Sequence, residues 1–166
     1  MAKLVMLRGN SGSGKSSVAK ALQKKFGHNT MLISQDVIRR ETLWVHDGVG
    51  TLALPLMVNL LQYGKGHCGV VILEGILRAD WYQELFECAL REFHNHIFAY
   101  YYDLPFEETL LRHQTKPKRF EFGEEEMRRW WNEKDYIGFI PEKTLTEQVG
   151  LEEAVGLIYD DVMRGV

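Results

Sequence analysis

The segment Gly9-Asn-Ser-Gly-Ser-Gly-Lys-Ser16 fits the pattern G-x-x-x-x-G-K-[ST] at every position. It lies between a short apolar run, Lys3-Leu-Val-Met-Leu-Arg8, and a helical pattern from about Lys15 to Phe26. A chain that leaves a buried strand, turns through glycines and enters a helix aims successive backbone N–H groups at one point. The positive end of the helix faces the same point, and together they form a cradle for phosphate. The glycines supply torsions and close approaches that a Cβ forbids. Gly9, Asn10, Ser11, Gly12, Ser13, Gly14, Lys15, Ser16 and Ser17 are therefore expected to hold the phosphates of ATP. Lys15 acts there as a point charge on the outer phosphates, and the Ser16 hydroxyl as a ligand of Mg²⁺. A plain Gly/Ser turn would not need to sit between a strand and a helix.

The rest of the chain repeats this alternation. Thr30–Ser34, Val70–Leu73, Ile97–Tyr102 and a weak run near Thr144–Thr146 read as strands. Helical patterns fall between them. The helix after the loop carries Val18, Ala21, Leu22 and Lys25 on one stripe and stops at Gly27. A turn opens at Asp36 and runs to about Thr42. An apolar helix covers about Thr51 to Tyr63, with Gly64, Gly66 and Gly69 forming a loop after it. Asp80 is placed to N-cap a helix reaching about His94. Pro105 fits the first turn of the next helix, and Pro117 ends it. A charged helix is expected at Glu124–Lys134 and a last one at Leu151–Met163.

Strand–helix alternation of this kind predicts an α/β, three-layer fold with a five-stranded parallel sheet and helices on both faces. With 166 residues and no repeat or linker, one domain over 1–166 is expected, with a small basic lid at approximately 113–123. The formal charge of −3 supplies no global basic field, which argues against extended duplex binding. No apolar stretch approaches the length of a membrane span, and no secretory signal is visible, so a cytoplasmic location is expected. Cys68 and Cys88 lack paired spacing and read as buried reduced thiols, and the six histidines show no ligand spacing.

Ligands of such sheets bind at the carboxyl ends of the strands. Polar candidates follow strands at Gly9–Ser16, Asp36, Glu74 and Asp103. In layout the chain resembles the small P-loop kinases. That broad group includes nucleoside monophosphate, gluconate and shikimate kinases, chloramphenicol phosphotransferases, zeta toxins and polynucleotide 5′-hydroxyl kinases. The N-terminal phosphate loop, the acidic residues after strands two and three, the basic segment and the short last strand and helix carry the likeness.

Asp36-Val-Ile-Arg39 looks like the Asp-x-x-Arg pattern of polynucleotide kinases. The resemblance implies that Asp36 accepts the proton of an attacking hydroxyl and Arg39 clamps acceptor or phosphate, with Arg40 second to it. The chemistry agrees, because an alcohol attacking phosphorus benefits from a positioned base. The alternative makes Asp36 a helix cap, and capping and catalysis can coexist. Glu74 stands where a carboxylate commonly holds Mg²⁺. It could also bind acceptor hydroxyls, serve as the base in place of Asp36, or form a structural ion pair. Arg78 could reach the same cleft. Within Arg112-His-Gln-Thr-Lys-Pro-Lys-Arg119, the resemblance implies lid arginines over the transferring phosphate, and Arg112 and Arg119 suit it best because a guanidinium forks onto phosphate.

Trp130 and Trp131, with Met127 and Tyr136, read as helix-face core or an acceptor wall, and Trp81-Tyr82 reads as core. His46 and Asp47 lie where these kinases often bind the acceptor, and Pro141-Glu-Lys143 where they hold adenine. The expected activity is transfer of the ATP γ-phosphate to a hydroxyl of a small-molecule acceptor. The alternatives are a polynucleotide 5′-hydroxyl kinase and, in another class, a regulatory ATPase without an acceptor.

Overall fold

The computed structural model describes residues 1–165. Its five strands are β1 (Lys3–Gly9), β2 (Thr30–Ser34), β3 (Val70–Gly75), β4 (Ile97–Tyr102) and β5 (Glu142–Leu145). They form one parallel sheet in the order β2-β3-β1-β4-β5. The alternation of side chains along β1 divides the core. Leu4 and Met6 face one way, with Ile33, Val71 and Leu73, beneath α3 (Ala53–His67) and α4 (Gln83–Phe93). Val5 and Leu7 face the other way, with Ile72 and Tyr100, beneath α1 (Lys15–Phe26) and α7 (Leu151–Arg164). Three layers result, with both faces of the sheet covered.

Register decides what meets at the sheet's carboxyl edge. Leu7 pairs with Glu74, Ser34 pairs with Glu74 from the other side, and Gly9 pairs with Tyr102. The phosphate loop therefore leaves β1 with the ends of β3 and β2 on one flank and the end of β4 on the other. The chain crosses first to the β2 side of β1 and later to the β4 side, and the crevice opens where that direction reverses. Above it lie α5 (Phe106–Gln114), a 3₁₀ turn at Pro117–Phe120 and α6 (Glu124–Arg129).

Several sequence expectations are corrected. The helix expected to stop at Tyr63 continues to His67, because Gly64 faces the sheet. A Cβ there would lie 2.7 Å from Val71 Cγ2 and 2.8 Å from Met31 Sδ, so glycine permits close helix–sheet packing rather than ending the helix. Asp80 does not cap α4: it lies 2.7 Å from Arg78 Nε, and Tyr82 precedes the first turn. The helix expected over Glu124–Lys134 ends at Arg129, since the Asn132 N–H is drawn to Asn10 of the phosphate loop. The last strand begins at Glu142 rather than Thr144, which brings Glu142 to a buried arginine. On α1, Ala19 rather than Ala21 is fully buried, and Lys25 sits over the Tyr159 ring at 4.5 Å. Cys88 is buried but Cys68 is only half-buried, and both are free thiols. No helix among the described residues is long and apolar enough to cross a membrane.

Candidate active site

The phosphate loop is held from above and below. Gly12 has φ +82°, and a Cβ on it would lie 2.6 Å from the Thr109 carbonyl oxygen of α5 and 2.8 Å from Met127 Cε. Glycine is required there by torsion and by the passage of α5 directly over the loop. Asn10 turns its side chain outward to the 130s segment. Its Nδ2 donates to the Asn132 carbonyl at 2.7 Å, and its Oδ1 accepts from Asn132 N at 2.8 Å. Lys15 Nζ donates to the Asn10 carbonyl at 2.8 Å and to Ser13 Oγ at 3.2 Å. Burial of this amine lowers its pKa to about 8, against the opposing pull of the Glu74 and Asp36 carboxylates.

Glu74 is almost fully buried at the end of β3. Its Oε1 accepts from Ser16 Oγ at 3.0 Å and from Ser34 Oγ at 2.6 Å. Ser34 was not singled out by any sequence motif. The register of β2 on β3 brings it opposite Glu74, and only sheet order reveals that. Among the described residues no three His, Cys, Asp or Glu side chains cluster. Mg²⁺ bound with phosphates needs only one or two protein oxygens, so the hard-oxygen pair Ser16 and Glu74 fits it.

Asp36 stands on the single turn α2 (Gln35–Val37), which continues into a π-helical turn, Ile38–Thr42. Three cations reach its carboxylate: Lys118 Nζ at 2.7 Å, Arg40 Nε at 2.8 Å and Arg39 Nη2 at 3.2 Å. Partial burial alone would raise the carboxyl's pKa, but these neighbours, Lys118 foremost, outweigh it and hold the group below its ordinary value.

The loop, Asp36 and Glu74 line one cavity of about 390 Å³. Arg40, Arg112, Lys116 and Lys118 also face it, as do Phe122 and Trp130. Lys116 Nζ donates to Ser17 Oγ at 3.0 Å, so the basic segment touches both α1 and Asp36. Arg112 is braced by Glu108 at 3.0 Å, and its Nη1 donates to the Ser13 carbonyl at 2.8 Å, directly over the loop. His113 is buried, with Nε2 2.8 Å from the Phe122 carbonyl and its ring stacked on Phe122 at 4.6 Å.

Other residues singled out from the sequence lie elsewhere. Arg119 turns back on its own segment, donating to the Gln114 and Lys116 carbonyls, with its guanidinium over Phe120. Arg78 pairs with Asp80 and lies over Trp81 at 4.5 Å. Arg39 touches Asp36 but is not on the cavity wall, whereas Arg40 is. Asp103 pairs with Lys134 at 2.6 Å. Asp47 accepts from Tyr82 Oη at 2.6 Å and Gln35 Nε2 at 2.9 Å, an internal network that fixes the chain after α2. Trp131 packs edge-on to Phe106, while Trp130 faces the cavity, so neither is helix-face core.

In the sequence Arg8 reads only as the polar end of a strand. It is fully buried below the loop, with Nη1 2.8 Å from Glu142 Oε1 and Nη2 2.9 Å from Asp135 Oδ2. Its Nε and Nη2 also donate to the Leu77 carbonyl, at 3.1 and 2.9 Å. One guanidinium thus joins β1, the turn after β3, the 130s segment and β5. A polar residue at an inward position of a central strand was the available signal.

No protein-family model matches the sequence, and no curated protein matches it. Solved structures do resemble the fold. A gluconokinase from Sinorhizobium meliloti superposes with a TM-score of 0.69 at 16% identity, over 98% of this chain and 92% of that one. An APS kinase from Mycobacterium tuberculosis, solved with AMPPNP and APS, gives 0.65 at 20% identity over 98% of each chain. A shikimate kinase from Acinetobacter baumannii, solved with shikimate, gives 0.60 at 17%, over 99% of this chain and 94% of that one. The fold is that of the P-loop kinases.

Proposed function

We propose that the protein is an ATP-dependent phosphotransferase that moves the γ-phosphate to a hydroxyl of a small acceptor. The observation that carries this reading is that Asp36 and the phosphate loop line the same cavity, a carboxylate across from a triphosphate cradle. Structural neighbours that are gluconate, APS and shikimate kinases support it.

In the proposed reaction the acceptor oxygen attacks the γ-phosphorus as the bond to the β–γ bridging oxygen breaks. ADP leaves, and the hydroxyl proton passes to a carboxylate oxygen of Asp36. Phosphoryl transfer of this kind rests on positioning and fixed charge more than on base strength. That suits Asp36, which its cations keep ionised and hence able to accept a proton. Lys118 occupies one of its oxygens, and in the proposed complex the acceptor hydroxyl takes the place of this contact. Lys118 and Lys116 are then free to meet the phosphoryl oxygens, with Lys15 on the outer phosphates and Arg112 over the loop. Ser16 and Glu74 would hold Mg²⁺, which when bound neutralises charge between the β- and γ-phosphates. The Ser34 hydroxyl would orient Glu74 for that task.

Radiolabelled ATP offered with nucleosides, sugars, aminoglycosides and 5′-hydroxyl oligonucleotides tests the reading, with Asp36→Asn alongside. Labelling of one acceptor class is expected, falling about 10²-fold or more in Asp36→Asn. ATP hydrolysis with no acceptor labelled would leave the regulatory ATPase and sink the transferase. Full activity in Asp36→Asn would move the base to Glu74.

A further inference from the structure

The acceptor half of the cavity carries an imbalance of charge. Asp36 is one carboxylate met by three cations, two of which, Arg40 and Lys118, line the cavity beside it, so positive charge is in excess there. Even if Lys118 moves to the transferring phosphate, Arg39 and Arg40 still outnumber Asp36. Arg40 is the one of these arginines on the cavity wall. Its Nε lies within ion-pair range of Asp36 Oδ1 yet is buried without a hydrogen-bond partner, so the contact lacks hydrogen-bond alignment. A partly desolvated guanidinium with unspent donors is a strong site for an anion.

What surrounds Arg40 is apolar and flat. Its guanidinium carbon lies 5.7 Å from the Phe122 ring centroid and 5.8 Å from that of Trp130. Those two rings meet edge to face at 4.9 Å, and His113 stacks behind Phe122. The rings cover one side of the guanidinium and narrow the angles Arg40 can adopt, while the rest of the side chain stays half-exposed. Both rings and Ile76 also wall the cavity, giving a bound molecule an apolar surface next to the cation.

We infer that the acceptor is itself an anion: beside the hydroxyl it carries a phosphate, sulfate or carboxylate bound by Arg40, and an apolar body that lies against Phe122 and Trp130. This rests on the phosphotransfer reading of the cavity and narrows it. Neutral sugars and cationic aminoglycosides become poor acceptors. A nucleoside 3′-phosphate, the 5′-hydroxyl end of an oligonucleotide and an aromatic hydroxy acid share the required chemistry.

The test uses the full chain saturated with AMPPNP and Mg²⁺ and measures acceptor binding by calorimetry in matched pairs. The pairs are adenosine 3′-monophosphate against adenosine, 3-hydroxybenzoate against 3-hydroxybenzamide, and gluconate against glucose. In parallel, labelled ATP reads transfer to each compound and to a 5′-hydroxyl oligonucleotide. The anion of at least one pair with a ring should bind about tenfold or more tighter than its neutral twin, the least expected of a charge-assisted hydrogen bond. Arg40→Gln should shrink that preference to less than about threefold and raise KM for the anion, while Arg40→Lys keeps part of it. Trp130→Leu should weaken the ringed anions more than gluconate. Neutral twins binding as tightly as the anions throughout, or a preference untouched in Arg40→Gln, would overturn the inference. In that event transfer to a neutral acceptor would leave the phosphotransferase intact. An Arg40-dependent preference with no transfer to any compound would instead sink the phosphotransferase and leave an anion pocket.

Discussion

The two ends of the cavity are built differently. The donor end is backbone: one continuous stretch from β1 to α1, pinned by Gly12 under α5 and by Asn10 on Asn132. The acceptor end is side chains, with Asp36 and Arg40 from the turn after β2, Lys118 from the basic segment and Trp130 from beyond α6. Its contacts are half-exposed ion pairs that exchange readily, whereas the loop's torsions are fixed by close packing. In the proposed reaction triphosphate is common to every substrate pair, so a rigid cradle serves it. Acceptors differ, and side chains on separate segments can vary without disturbing the cradle.

The largest expected effect comes from breaking the buried link below the loop. Arg8→Met leaves the Glu142 carboxylate buried with no cation and should cost about 3–5 kcal/mol, read as a fall in denaturant midpoint. Adding Glu142→Gln should recover much of it. If Arg8→Met alone is neutral, the 130s segment and β5 are not held to β1 through this guanidinium.

Next in size, Lys15→Ala should lower transfer on the order of 10²–10³-fold without lowering the melting temperature, because the amine is buried and its charge is disfavoured there. Burial lowers this pKa, so charging Lys15 costs stability in full below about 8, and the cost fades as pH rises from there toward the ordinary 10.5. A triphosphate favours the charged amine, so AMPPNP binding near pH 8 should take up roughly half a proton per site. Calorimetry in buffers of differing ionisation enthalpy measures it. No uptake would mean that the donor end is not preset by burial.

The smallest effect belongs to the acceptor end. Lys118→Ala removes a half-exposed pair and should change stability by less than about 1 kcal/mol. Because cations hold the Asp36 carboxyl below its ordinary 3.8, its contribution to stability is full above that value and lost as pH falls below it. Removing Lys118 should move the acid limb of the transfer rate upward toward 3.8. An unmoved limb would show that Arg39 and Arg40 alone set it.

Much of this was legible in the chain. The loop, the order of strands and helices and the parallel sheet follow from local patterns, because a G-x-x-x-x-G-K-S turn between a buried strand and a helix has few conformations available. Asp36 and Glu74 were legible as strand-end carboxylates. Arginines were harder. Arg112 does face the cavity, but Arg119 turns onto its own segment and Arg40, not Arg39, reaches the wall, since a long flexible side chain reports its position but not its direction. Gly64 shows the same limit: it reads as a breaker, and only the nearness of Val71 and Met31 makes it a packing residue.

By itself, the sequence determined the fold class and the place of the glycine loop between β1 and α1, where the geometry is carried by contiguous backbone and by torsions that only glycine readily adopts. Tertiary structure decided the rest. Ser34 reached Glu74 through sheet register, Arg8 met Glu142 across 134 residues, and Lys118 met Asp36 across 82. Those contacts depend on distances between segments that no local pattern encodes.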